Sequence, residues 1–130
     1  METKIYKCAK CGMEIEVIIP CNCENCRCLE CCGEPLKEMT PQTADFKTEK
    51  HVPVVEEIKD GMRVVVGSTP HPMTAEHHIE WIEVINGDWH NRKYLAPTGP
   101  ATAEFYVKPQ SGMIVREFCN IHGLWEYRIK

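Results

Sequence analysis

Eight of the nine cysteines in this chain precede residue 33, and that crowding constrains the fold more than any other feature. They are Cys8, Cys11, Cys21, Cys23, Cys26, Cys28, Cys31 and Cys32, and only Cys119 lies beyond them. The segment that carries them has one apolar stretch, Met13 to Ile19, too little for a core. Modules below about 40 residues hold together only with metals, disulfides or partners. The start, METKIYKC, has no apolar core of an export signal. The thiols are therefore expected to meet a reducing cytoplasm, where metal binding is a better use for them than disulfides.

The rest of the chain is chemically different. Lys and Arg total 15 against 19 Asp and Glu, a formal charge of -4, so the broad basic surface of a nucleic-acid binder is not expected. No stretch approaches the roughly 20 apolar residues of a membrane span, which points to a soluble, cytoplasmic protein. We place a Cys-rich metal domain at 1–38, a linker at 39–43 (MTPQT) where Pro41 and its polar neighbours continue no element, and a second domain at 44–130. There, short β-rich runs alternate with turn signals: VPVVEEIK and MRVVVG about a tight Asp60-Gly61 turn, HHIEWIEVI and WHNRKYL about Asn86-Gly87-Asp88, then AEFYV, MIVREF and LWEYR. Seven short strands predict an all-β chain whose larger part is an Ig-like antiparallel sandwich.

Cys8-x-x-Cys11 and the adjacent pair Cys31-Cys32 supply four thiolates, the set used by a tetrahedral zinc or iron site. Neighbouring side chains diverge, so the adjacent pair is expected to strain a tetrahedron. With Cys21, Cys23, Cys26 and Cys28 added, eight thiols allow one site with spares, two sites, or a cluster. Spacing leaves these alternatives, and a plain structural zinc knuckle, open.

His51, His71, His77, Cys119 and His122 have metal-ligand character in the second part. A lone His in a β-protein is commonly a surface or hydrogen-bonded residue, so position has to argue. His51 precedes Val52-Pro53 and His71 precedes Pro72, which restrains both backbones toward extended geometry. Period-2 alternation through HHIEWIEVI puts His77 on a face with Ile79, Trp81 and Ile85, and His78 on the other with Glu80. His90, in DWHNRK, reads as surface. Cys119-x-x-His122 with Gly123 after it can bind one metal from a single bend; a buried inert thiol and a Cys/His nucleophile pair are the competing readings.

Taken together, YKCAKCG, CCGEPLK, EKHVPV, HPMTAEHHIEWIEV and REFCNIHGLW occur in one order along the chain, and in this the chain resembles desulfoferrodoxin, the two-iron form of superoxide reductase. The resemblance implies a desulforedoxin-like iron centre with four thiolate ligands, Cys8, Cys11, Cys31 and Cys32, where zinc is the other metal the donors suit. It also implies a catalytic iron with His51, His71, His77 and His122 equatorial and Cys119 axial. Glu49 and Lys50 fall on the family's Glu-Lys pair beside that iron. Superoxide as substrate, rubredoxin or a similar small electron donor, and a homodimer are implied in the same way. The spacer between Cys11 and Cys31 departs from the family, which usually lacks CNCENCRC there. Two other classes compete: a rubredoxin-like electron carrier with the sandwich as a dock, and a zinc-stabilised binding module. Neither requires His51, His71 and His77.

Overall fold

The computed structural model describes residues 2–22, 29–46 and 49–130. Every regular element among them is a strand, and no helix is long and apolar enough to cross a membrane. The chain divides into two compact units, Met1–Thr40 and Pro41–Lys130.

The first unit holds β1 (Lys4–Lys7), β2 (Glu14–Val17), β3 (Glu30–Cys31), β4 (Glu34–Pro35) and β5 (Lys37–Glu38). A three-stranded sheet runs β2-β1-β5, and β3 and β4 form a separate hairpin. Buried apolar side chains are few, namely Ile5, Cys8 and Leu36 among the described residues. Two turns therefore decide the local shape. Between β1 and β2, the Gly12 N–H donates to Cys8 O (3.0 Å) and the Cys8 N–H to Met13 O (2.9 Å), with Gly12 at φ +79. Between β3 and β4, where Cys31 pairs with Glu34, Cys32 (φ 54) and Gly33 (φ 76) both take left-handed backbone, the twist that closes two-residue hairpins. Met39 donates to Ile5 O (2.8 Å), so the start of the expected linker belongs to this unit.

The second unit contains β6 (Pro53–Ile58), β7 (Gly61–Val66), β8 (Ile79–Asn86), β9 (Trp89–Tyr94), β10 (Thr102–Phe105), β11 (Ile114–Cys119) and β12 (Gly123–Arg128). These are the seven strands that the turn punctuation predicts. They form two antiparallel sheets, β10-β7-β6 and β12-β11-β8-β9. Met62, Val64, Val66, Ile79, Ile82, Val84, Phe105, Met113 and Val115 form its core. Gln42, at the other end of the expected linker, bridges to Trp125: its N–H donates to Leu124 O (3.0 Å) and its C=O accepts from Glu126 N–H (2.9 Å).

Two local expectations are corrected. Ile58 pairs with Gly61, so the turn is Lys59-Asp60 and Gly61 opens β7. What requires glycine at 61 is space, because a Cβ there would overlap the Phe105 carbonyl. Strict alternation through HHIEWIEVI also fails. The pairing of β8 with β11 shifts between Phe118 and Cys119, so Phe118 faces Trp81 while Cys119 faces Ile79. That bulge consumes Glu80, which places Ile79 with Ile82 and Val84 in the core and leaves His77 in the loop ahead of β8.

Strand register sets the site. Pro53 at the start of β6 faces Val66 at the end of β7, and Cys119 at the end of β11 faces Ile79 and Gly123 at the starts of β8 and β12. His51, His71, His77, Cys119 and His122 are thus all at or just beyond strand ends.

Candidate metal centres

In the second unit the ligand atoms of His51, His71, His77, Cys119 and His122 lie within 4.8 Å of one another. His51 Nε2 is 3.1 Å from His71 Nε2 and 3.2 Å from His122 Nδ1. Four nitrogens in a square at about 2.1 Å from one metal would be about 3.0 Å apart at neighbouring corners. The rings meet edge to face in a closed cycle: His51 with His71 (4.6 Å between centroids), His71 with His77 (4.8 Å), His77 with His122 (5.1 Å) and His122 with His51 (4.9 Å). Cys119 Sγ stands off this ring, 3.7 Å from His71 Nε2 and 3.8 Å from His122 Nδ1.

Glu49 Oε1 also stands over the ring, 2.8 Å from His71 Nε2 and His77 Nε2, 3.3 Å from His51 Nε2 and 3.5 Å from His122 Nδ1. Near-equal distances to four corners put this oxygen close to the axis of the square. Cys119 Sγ approaches the corners of His71 and His122, so the ring of imidazoles is met by a sulfur as well as by a carboxylate oxygen. The neighbouring Lys50 ammonium donates to Phe46 O (3.0 Å), and the Phe46 ring packs on His51, His122 and Trp125. The ammonium is thereby tied to the segment that walls the ligands.

Each ligand is braced. His71 Nδ1 lies 2.7 Å from Pro72 O, a contact that holds the proton on Nδ1 and turns Nε2 inward. His51 is buried and stacks on Trp125 at 4.4 Å and 10°. Trp125 Nε1 and Gln42 Nε2 both donate to the carbonyl of His122 (3.2 and 2.8 Å). Asp45 Oδ1 accepts the N–H of His51 (2.6 Å) and of Val52 (2.8 Å), which fixes the approach to β6. The His122 N–H points at Cys119 Sγ (3.4 Å).

Burial sets the protonation states. It lowers His51 to about 4 and lowers His71 also, so both imidazoles are neutral donors at pH 7. Burial raises the Cys119 thiol to about 11, against the lowering effect of the His122 and Ile121 N–H groups. A metal must therefore displace its proton. Glu117 shares the inward face of β11 with Val115 and Cys119. Neither of its carboxylate oxygens has a hydrogen-bond partner, and burial, followed by the Asp45 and Glu49 carboxylates, raises it well above the ordinary range.

In the first unit Cys8, Cys11, Cys31 and Cys32 converge within the same 4.8 Å limit. Cys11 Sγ is 3.5 Å and Cys32 Sγ 3.7 Å from Cys31 Sγ, against about 3.8 Å between sulfurs of a tetrahedron with 2.3 Å bonds. The strain expected of the adjacent pair is relieved by the left-handed backbone of Cys32, which swings its sulfur back toward Cys31. The Cys11 N–H, foremost, lowers Cys8 to about 6, while the Cys11 thiol, foremost, raises Cys31 to about 12. Such a group holds one negative charge readily and needs a cation for the rest. Cys21 is exposed, and the expected extra thiols Cys23, Cys26 and Cys28 lie outside the described residues.

Both donor sets fit a metal: four imidazoles with a thiolate suit a redox transition metal, and four thiolates suit iron or zinc. Sequence reasoning picked out these ligands but missed Gln42, Asp45, Phe46, Glu117, Asn120 and Trp125, for which type and spacing give no signal.

Comparison with known proteins agrees. The desulfoferrodoxin family model matches residues 43–128. A desulfoferrodoxin homolog of Methanothermobacter thermautotrophicus is 48% identical over 122 residues, covering 94% of this chain and 95% of that protein. Among solved structures, the superoxide reductase of Treponema pallidum is 27% identical with a TM-score of 0.74, covering 98% of each chain. A one-iron superoxide reductase from Giardia intestinalis, 27% identical with a TM-score of 0.56, covers 64% of this chain and 99% of its own. With a family match over most of its length and a relative near half identical, this chain belongs to the desulfoferrodoxin family.

Proposed function

We propose that this protein is a superoxide reductase. It reduces superoxide to hydrogen peroxide with one electron and two protons, and releases no oxygen. His51, His71, His77, His122 and Cys119 hold the working iron, and Cys8, Cys11, Cys31 and Cys32 hold a second metal, iron or zinc. The carrying observation is the closed cycle of four imidazoles with the Cys119 sulfur and the Glu49 carboxylate both brought against it.

Iron bound there supplies the one-electron chemistry. The protein's part is to hold the four imidazoles and the Cys119 sulfur in place, with burial keeping His51 and His71 neutral and the brace hydrogen bonds fixing their position. Cys119, once ionised, would donate charge to an iron held there, as the thiolate does in thiolate-ligated haem. Lys50 acts by charge: superoxide is an anion, and a cation on the wall of the site raises its encounter rate. Glu49, whose Oε1 lies within 3.5 Å of all four imidazole nitrogens, would be within reach of an iron held there and so would compete with an anionic substrate for it. An external donor such as rubredoxin returns the electron, and the functional unit is a cytoplasmic homodimer.

An electron carrier would need only the four-cysteine group, and a zinc-stabilised module would need no buried four-imidazole cycle. The test is anaerobic mixing of the ferrous protein with superoxide. One peroxide per superoxide, with oxidation of the His/Cys iron, supports the reading; a protein inert to superoxide or carrying only zinc refutes it.

A further inference from the structure

His77 is the imidazole that the fold holds least directly. His51 leads into β6 and His122 into β12, and the His71 N–H is bonded to Val66 O at the end of β7 (2.9 Å). His77 instead sits in loop 67–78, outside any ladder. Two residues make up for this. Thr74 takes the backbone of His77 itself: the Thr74 N–H donates to His77 O (2.9 Å), and the His77 N–H donates to Thr74 Oγ1 (3.1 Å). Asn120 takes the peptides on either side. Its Nδ2 donates to Glu76 O (3.0 Å), its Oδ1 accepts the His78 N–H (2.9 Å), and its own N–H donates to His78 O (3.1 Å).

Asn120 follows Cys119, at the point where the bulge breaks the β11–β8 ladder. Regular rungs stop there, and the carboxamide supplies their equivalent across the gap. The geometry calls for a neutral group with one donor and one acceptor a short reach from the backbone, which describes Asn. Ala offers neither, and Asp offers the acceptor but not the donor.

We propose that Asn120 is a positioning residue of the sandwich metal centre: it clamps both peptides that flank His77 to the residue after Cys119, so that thiolate and imidazole reach the metal as one rigid piece. The inference rests on the reading of His77 and Cys119 as ligands of one iron. Partners of this kind typically contribute 10–100-fold to metal affinity.

The experiment is a double-mutant cycle read by ferrous-iron affinity in competition with a chelator and by the visible spectrum of the ferric form. Asn120→Ala should bind iron at the sandwich centre about 10–100-fold more weakly, with a shifted thiolate-to-iron band and an unchanged four-cysteine centre as internal control. In a His77→Ala background the same change should cost less than about threefold, because a clamp on an absent ligand has nothing left to position. Asn120→Asp, which keeps the acceptor for His78, should fall between Ala and the native residue, and it decides the matter if Asn120→Ala does not fold. Native affinity in Asn120→Asp and Asn120→Ala, or a full loss that recurs beside His77→Ala, overturns the proposal. Failure of the unsubstituted protein to bind iron there would overturn the ligand reading itself.

Discussion

The Cys8–Cys11–Cys31–Cys32 group takes its ligands from two surface turns, whereas the His51–His71–His77–His122–Cys119 group takes them from strand ends around a core. In the first unit Ile5, Cys8 and Leu36 are the buried apolar side chains among the described residues, and a shell that small leaves the metal to hold the strands. The second unit has a core spread over two sheets, and its burial is what keeps His51 neutral and Cys119 protonated until a metal arrives. In one region the metal makes the fold; in the other the fold makes the metal site.

The largest expected effect tests that division. Cys8→Ser should abolish metal binding in the first unit and the protection of its amides from exchange, while the sandwich centre keeps its iron. Amides of β1 and β2 that stay protected without metal would break the comparison. Cys119→Ser should do the reverse, emptying or reshaping the sandwich centre with its strands intact.

The pH dependence of metal affinity comes next. Metal binds the deprotonated ligand, so affinity rises with pH wherever a proton must be displaced. At the sandwich centre His51 (about 4) is already free at pH 7 and the Cys119 thiol (about 11) is not, which gives about tenfold tighter binding per pH unit near neutrality. In the four-cysteine group Cys8 (about 6) is largely ionised, while Cys31 (about 12) and Cys32 are both raised. At least two protons leave, so the slope should be at least about a hundredfold per unit. Chelator competition from pH 6 to 9 measures both, and equal slopes would mean that burial does not separate the centres.

How much of this was legible in the sequence follows the same line. The strand runs could be read because Gly, Pro and Asn punctuate them, and the second part's His and Cys candidates because their chemistry marks them, whereas the choice of Cys8, Cys11, Cys31 and Cys32 among eight thiols came only from the family resemblance. The bulge at Glu80 could not, since it arises from pairing with β11, and Gly61 looked like a turn residue when its role is to let the Phe105 carbonyl pass. Asp45, Asn120 and Gln42 are ordinary polar residues whose value lies in the backbone groups they meet across the fold. Cys32 needed its left-handed backbone on view before an adjacent Cys pair made sense.

Smaller effects sharpen the sandwich side. Lys50→Ala should slow the reaction with superoxide roughly tenfold at low salt, about 1.4 kcal/mol, and less as ionic strength screens the charge. Stopped-flow rates equal to native at low salt would remove Lys50 from the mechanism. Gly67→Ala works from behind: a Cβ there would lie 2.9 Å from Lys50 O and 3.1 Å from Lys50 Cβ, so the Glu49–His51 segment must shift by a few tenths of an ångström. About a threefold loss of rate with iron retained is expected, because small misplacements of a positioned group already cost rate.

The central claim, that the chemistry belongs to the sandwich alone, is met most directly by mixing the reduced Cys8→Ser protein with a known dose of superoxide and counting products. One peroxide per superoxide without oxygen release, at a rate within about twofold of the native protein, is the predicted result. Oxygen release at half the superoxide consumed, or a loss of reaction while the His/Cys iron remains bound, would contradict it.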